Sequence, residues 1–357
     1  MPHRTYLDYA ASAPLRPQAQ AAMLAALQHC GNPSSIHHEG QAARALLDDA
    51  RRAVADILTV RAERIVLTSG GTEAANMAVL GAPTGTVLVG ATEHDCVLAA
   101  AQARGGEVIP VNDQGVINLA WLEQRLQAGG VSLVTVMLAN NETGTLQPVA
   151  EVAALARRYG ALSHTDAVQV VGHHSVNVDE LGVDMLSFTA HKFGGPRGAG
   201  ALVLKSEVKL AALIQGGGQE RNRRAGTENA CGMAAALQAA TSQQQEELKN
   251  ATQFATFLEQ NLPKPFQIAS VNTPKIEHVR MLIHPKIHGE DMVIALDLQG
   301  IAVSQGSACS SGRNKPSHVL TAMGLPNLGV VRVSWGWGST FEEMQRLVAM
   351  LALCEKK

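Results

Sequence analysis

The chain reads as an α/β protein: a large unit on a mainly parallel sheet with helices on both faces, joined to a smaller α+β unit. Three observations predict this. Short aliphatic and β-branched runs alternate with helix-period segments from about residue 64 to residue 204. Polar residues able to do chemistry stand just after those runs, where open α/β sheets collect their functional groups. A long helical stretch, Gly232 to Leu262, is stopped by Pro263 and Pro265, and the strand–helix rhythm changes after it. We place the change of unit along this stretch. Residues 15–246 form the large domain, and 1–14 with 247–357 the small one.

The elements follow in order. Tyr6 to Pro14 reads as a short arm. Gln18 to Gln28 is alanine-rich and helical, Gly31–Ser35 breaks it, and Glu39 to Leu58 carries apolar residues at helical spacing. Arg64–Thr68 is a strand, Ser69–Glu73 a glycine turn, and a helix runs on through Leu80. Next come the strand Thr86–Val89 and the helix Cys96–Ala103, then the strand Val108–Val111 and the helix Leu119–Ala128. The β-branched run Val131 to Ala139 reads as one long strand, followed by the helix Val149–Tyr159. The strands Leu162–Thr165, Val183–Thr189 and Ala201–Leu204 complete the large unit. The small unit offers strands at Arg280–Ile283, Ile301–Ser304 and Val330–Ser334, and helices at Gly289–Gln299, Pro316–Met323 and Phe341–Cys354.

Composition narrows the function. The 357 residues carry 29 Lys and Arg against 31 Asp and Glu, a net charge of −2, so there is no basic footprint for nucleic acid. No run approaches the roughly 18 apolar residues of a membrane span. Five cysteines without a CxxC pair favour free thiols in a reducing, cytoplasmic setting. The adjacent pairs His37–His38 and His173–His174 would point apart, and no cysteine stands at ligand spacing, so no metal site is expected.

Four polar residues fall just after strands: His94, Asn141, Asp166 and Lys192. Lys192 sits in a glycine-rich connection between two buried strands. That suits either a surface lysine in a hairpin or an amine whose lone pair burial frees for a Schiff base. Gly71 and Thr72 open a helix. They read either as an ordinary N-cap or as an anion seat of free backbone N–H groups. Together, an anion seat, an acid after one strand and a lysine after the next fit pyridoxal phosphate. The phosphate would lie at Gly71–Thr72, Asp166 would face the pyridine nitrogen, Lys192 would carry the aldehyde carbon, and His94 would stack on the ring. Cys309 lies among glycine and serines between a strand and a helix, where exposure is expected and an unperturbed thiol is a strong nucleophile. Cys96 reads either as a bystander core thiol or as a second reactive one.

The chain resembles the cysteine desulfurases of the NifS/IscS type, fold-type I pyridoxal-phosphate enzymes of the class V aminotransferase group. The resemblance rests on YLDYAASAP, NPSS, TSGGTEAANM, TEH, NNETG, HTDAVQ, SFTAHKFGGPRGAGAL, GGGQERNRRAGTEN, GSACSSG, KPSHVLTAMG and VRVSWG, in that order along nearly the whole chain. It implies that Lys192 is the Schiff-base lysine and Cys309 the sulfur acceptor. It also implies that Asp166 and Gln169 bind the ring, with His94 stacking and assisting proton transfer. Gly71, Thr72, Thr189 and His191 would hold the phosphate, joined by Thr227 from the second subunit of a homodimer. Asn141 and Arg332 would orient the substrate, Arg332 by clamping its carboxylate. The implied reaction turns L-cysteine into L-alanine and leaves a persulfide on Cys309. A mobile loop from Gln305 to Asn314 would pass that sulfur to an acceptor protein, an iron–sulfur scaffold or a thiotransferase, for iron–sulfur clusters, thio-cofactors or tRNA thiolation. No metal of its own is implied, although Cys309 could serve as a transient iron–sulfur ligand with a scaffold. Alternatives on the same fold are a selenocysteine lyase and an aminotransferase. A catalytically silent sulfur carrier is the alternative without chemistry.

Overall fold

The computed structural model describes residues 4–205, 207–229, 231–306, 317–325 and 329–354. The strands of the large unit are β2 (Ile65–Thr68), β3 (Thr86–Gly90), β4 (Glu107–Ile109), β5 (Val131–Thr135), β6 (Leu162–Asp166), β7 (Met185–Thr189) and β8 (Gly200–Leu204). They form one seven-stranded sheet in the order β2-β8-β7-β6-β5-β3-β4. The run from β4 to β7 is parallel, and β8 lies antiparallel to both β7 and β2. The expected mainly parallel sheet is therefore present, with one reversed strand. That reversal comes from the short connection between β7 and β8, which is too brief for a crossover helix. β7 and β8 are buried along their whole length, as befits strands covered on both faces.

Two readings of the sequence need correction. The run expected to continue as a strand to Ala139 leaves the sheet at Thr135. Its backbone still donates to β6, from Val136 to His164 O at 3.1 Å and from Leu138 to Asp166 O at 2.9 Å. On the other side the Met137 N–H goes to the Glu93 carboxylate instead of a strand, because β3 has already ended. The N-terminal arm is also more than an arm. Thr5–Tyr6 is a strand, β1, pairing parallel with β11 (Ile301–Ala302).

The small unit adds β9 (Gln267–Ile268), β10 (Val279–His284) and β12 (Gly329–Ser334) in a three-stranded antiparallel sheet, order β12-β10-β9. The helix Met233–Asn261 joins the units. Its first turns bury Met233, Ala236 and Leu237 in the core of the large sheet. Its last turns bury Phe254, Ala255 and Leu258 in a second core with Leu282, Val331 and Trp335. The stretch between, Thr241 to Asn250, is mostly polar. We propose the domain division at residue 247 on this switch of core along one helix. No described helix is long and apolar enough to cross a membrane.

Candidate active site

The strand ends of the large sheet open into one cavity of about 190 Å³. Asp166 and Gln169 reach it from the end of β6, and Thr189, His191 and Lys192 from the end of β7. Gly71 and Thr72 come from the turn after β2, His94 from the turn after β3, and Asn141 from the chain beyond β5. Arg332 of β12 closes it from the small unit. Ten expected site residues are thus brought together. Thr227 is exposed and does not line this cavity, and Cys309 lies outside the described residues.

The anion seat is built by backbone. Gly71 begins the ten-residue helix Gly71–Leu80. A Cβ on it would fall 2.8 Å from Val168 Cγ2, so only glycine lets the helix start come this close to the segment after β6. Beside it an adjoining opening adds Ser69 and Arg197. The Thr189 hydroxyl donates to Ala199 O at 3.2 Å. His191 Nδ1 stands 3.3 Å from Ser12 Oγ, and burial, with the Lys192 and Arg197 charges, pushes the imidazole down to about 4. Unpaired N–H groups of a helix start, hydroxyls and one guanidinium suit a phosphate dianion. Glu73 in the first helical turn is bridged to Arg224 at 2.8 Å and accepts from Ser69 N, which ties the 216–229 loop to the seat. Arg197 was not singled out from the sequence, yet it is the one cation within the glycine-rich turn Gly194–Gly200.

Lys192 ends a short 3₁₀ turn, Ala190–Lys192. Its Nζ donates to Ala10 O at 2.5 Å and to Ala11 O at 3.0 Å. Gln169 Nε2 donates to the same Ala10 carbonyl at 3.1 Å. The arm after β1 therefore forms a wall of the cavity, a role the sequence did not suggest.

Asp166 shares the cavity with Lys192, and its charge acts on a second buried carboxyl, Glu93. Burial pushes Asp166 up, while the Val168 N–H, His94 and Lys192 pull it down. Glu93 is raised well above the ordinary range by burial and by the Asp166 charge, with only the Met137 N–H against it. Like charges this close do not both ionise. Burial raises both, and the Val168 N–H, His94 and Lys192 make Asp166 the better placed of the two to carry the charge. Glu93 was passed over in the sequence as the middle of a Thr-Glu-His run. Under Asp166, His164 bridges Thr135 Oγ1 at 2.8 Å and Ser187 Oγ at 3.1 Å, and burial holds it neutral, down to about 3.

His94 caps the helix Asp95–Ala103. Its Nδ1 accepts from Cys96 N at 3.2 Å and lies 3.0 Å from Cys96 Sγ. Those contacts occupy the Nδ1 lone pair, so this network assigns the proton of the neutral ring to Nε2. Burial, opposed by Asp166 and aided by Lys192, lowers the imidazole below its usual range. Cys96 packs against the core and also lines the cavity. Burial pushes it up to about 12, which keeps it protonated and a poor nucleophile.

Arg332 is 1% exposed. It donates to Asp8 Oδ1 at 2.8 Å and to Asn141 O at 3.0 Å. Its Nε is buried and has no hydrogen-bond partner among the described residues. A guanidinium held in place with a donor to spare can take a carboxylate. Asp8, from the arm, was not anticipated. Glu142, also unanticipated, accepts from Ser317 Oγ at 2.7 Å, and its Oε2 lies 2.9 Å from where a Cβ on Gly306 would stand. It thus lies beside Gly306 and Ser317, the described residues that flank positions 307–316 in the sequence.

The sequence and the fold match known proteins. The Aminotransferase class-V family profile covers residues 5–347. Cysteine desulfurase IscS of Dictyoglomus turgidum is 38% identical over 98% of this chain and 94% of its own. Among solved structures, a NifS-like protein from Rickettsia africae superposes with a TM-score of 0.92 at 29% identity, covering 99% of this chain and 100% of the other. SspA, solved in complex with cysteine, superposes with a TM-score of 0.80 at 29% identity, covering 94% of this chain and 100% of the other. The chain belongs to the Aminotransferase class-V family and, within it, to the cysteine desulfurases of the NifS/IscS type.

Proposed function

We propose that the chain uses pyridoxal 5'-phosphate to convert L-cysteine to L-alanine, leaving the sulfur as a persulfide on Cys309. One observation carries this reading: a single cavity holds the Lys192 amine, the buried Asp166 carboxyl, an open helix start at Gly71 and the buried Arg332 guanidinium. The donor set fits the cofactor. The seat at Gly71, Thr72, Thr189 and His191, with Arg197, suits its phosphate. A buried carboxylate such as Asp166 is relieved by a cationic ring nitrogen. Gln169 can donate to a ring oxygen, and His94 can cover a ring face. When bound, the cofactor supplies an electron sink for charge left at the substrate Cα.

The protein's own groups do the rest. Lys192 Nζ holds the cofactor and moves the Cα proton. Arg332, steadied by Asp8 and the Asn141 carbonyl, binds the substrate carboxylate, and Asn141 lines the approach. His94, with its proton on Nε2, donates rather than accepts. The Cys309 thiolate attacks the substrate sulfur. An S–S bond forms, the Cβ–S bond breaks with its electron pair left on carbon, and protonation there completes alanine. A thiol acceptor then takes the outer sulfur from Cys309.

The reading extends to a homodimer in which Thr227, exposed and away from its own cavity, completes the phosphate seat of the second subunit. It further extends to a cytoplasmic role in which an iron–sulfur scaffold or a thiotransferase takes the sulfur. Purified protein with added cofactor should absorb near ~420 nm, the band of a lysine-bound cofactor, and release alanine and sulfide from L-cysteine in the presence of a reductant. A protein that shows the band but forms neither product refutes the desulfurase reading. A Cys309→Ala variant that keeps full turnover points to an aminotransferase or a selenocysteine lyase.

A further inference from the structure

The segment beyond Gln169 folds back onto the Lys192 turn. Gly172 lies at φ +85°, and a Cβ there would fall 2.5 Å from the Phe193 Cβ, so the chain rests flush on the residue after the lysine. The next side chain, His173, has Nε2 3.1 Å from the Lys192 main-chain carbonyl. A carbonyl only accepts, so this nitrogen carries the proton. The ring stacks on His278, with centroids 4.1 Å apart and planes at 23°. His278 directly precedes β10 and is 3% exposed. Its own carbonyl accepts from Trp335 N at 3.1 Å, and the Gln169 main chain faces its ring. Its Nε2 is buried without a hydrogen-bond partner among the described residues. Neither imidazole lines the cavity.

We propose that His173 and His278 act as one positioning unit. Stacked as neutral rings, they fix the main chain at Lys192 and Gln169 and tie both to β10. That strand pairs with β12, where Met281 lies opposite Arg332. The pair thus links the residues that hold the cofactor to the strand that carries the substrate clamp. Its surroundings require neutrality. His174, Arg16 and Lys192 face His173, while His174 and Arg280 face His278, and Glu277 lies 3.0 Å from His174 as the nearby acid. A proton on His173 would add a cation facing Arg16 and Lys192, and one on His278 a cation facing Arg280. Burial already holds His173 down to about 3 and His278 well below the ordinary range.

The inference rests on reading Lys192 as the cofactor-holding residue, and its test separates the two. His173→Leu and His278→Leu are each expected to lower kcat for alanine formation roughly ten-fold, with the double variant no worse than the poorer single one, as for neighbours acting together. KM for L-cysteine should stay within about two-fold, because neither ring touches substrate. His173→Gln, whose amide can also donate to the Lys192 carbonyl, should recover most of the rate. In the protein before cofactor addition, nitrogen-15 spectra should show His173 protonated on Nε2 and both rings neutral at about pH 6. Losses that multiply, a glutamine variant no better than leucine, or a proton on His173 Nδ1 would each overturn the pairing. A wild-type protein that forms no alanine would sink the desulfurase reading, and the spectra of the cofactor-free protein would still judge the pair.

Discussion

The two walls of the cavity are made differently. The sheet wall presents Asp166, Lys192 and Gly71 from the buried ends of strands. Each sits where the local sequence leaves it: Asp166 accepts from Val168 N of its own unit, while Lys192 reaches across to the arm. The opposite wall is assembled from the arm and from β12. Ala10 and Ala11 offer only carbonyls, and Arg332 is held by Asp8 and by the Asn141 carbonyl. On the proposed reading, the first wall would hold the cofactor and the second the substrate carboxylate. Chemistry would then depend on the sheet wall, and affinity on the contacts that join distant parts of the chain.

The comparison can be broken most severely at the sheet wall. Lys192→Ala should lower the rate by about 10³-fold or more, as for loss of a group that makes and breaks bonds, and abolish the absorption near ~420 nm. Rapid-scan spectra and alanine assays would check both. Acid should also attack this wall. Burial pushes His164 and His173 down to about 3 in the folded chain, against 6.5 for an ordinary imidazole. Between those values the unfolded chain binds more protons. The stability from keeping these rings neutral is full above about pH 6.5 and drains away as the pH falls toward about 3. Denaturant midpoints measured across that window should fall with pH, and His164→Asn should flatten the dependence.

Changes on the second wall should spare chemistry. Arg332→Lys keeps the charge but loses the planar fork. KM for L-cysteine should rise about 10- to 100-fold with a much smaller fall in kcat, the cost of lost charge-assisted bonds. Asp8→Asn keeps the shape and removes one charge beside Arg332. We expect a KM increase of about three- to ten-fold, with the cofactor band unchanged. Should Asp8→Asn instead lower kcat alone, the division of labour between the walls would be wrong.

The same difference explains what the sequence made legible. Asp166, Lys192, His94 and Asn141 could be found because a parallel sheet places the residues after its strands on one edge, and strand runs have a readable period. Gly71 and Thr72 could be read because a strand, a glycine pair and a helix start occur in succession. Glu93 could not, because its importance comes from facing Asp166 in space. Asp8 and Arg332 pair across 324 positions of sequence, and no local pattern carries such a contact. The strand expected to reach Ala139 was overextended for a similar reason. Its β-branched residues do stay beside β6, but the partner of Met137 is a side chain from another turn. The histidines at 173 and 174 were weighed as a metal pair, and His278, which stacks on the first of them, lies far along the chain.

Peptide mass spectrometry of protein reacted with L-cysteine, without reductant, tests the account most directly. The mass of one added sulfur should appear on the peptide containing Cys309 and be absent from the peptide containing Cys96, whose thiol burial keeps protonated. Sulfur found on Cys96, or on neither peptide while alanine accumulates, would contradict it.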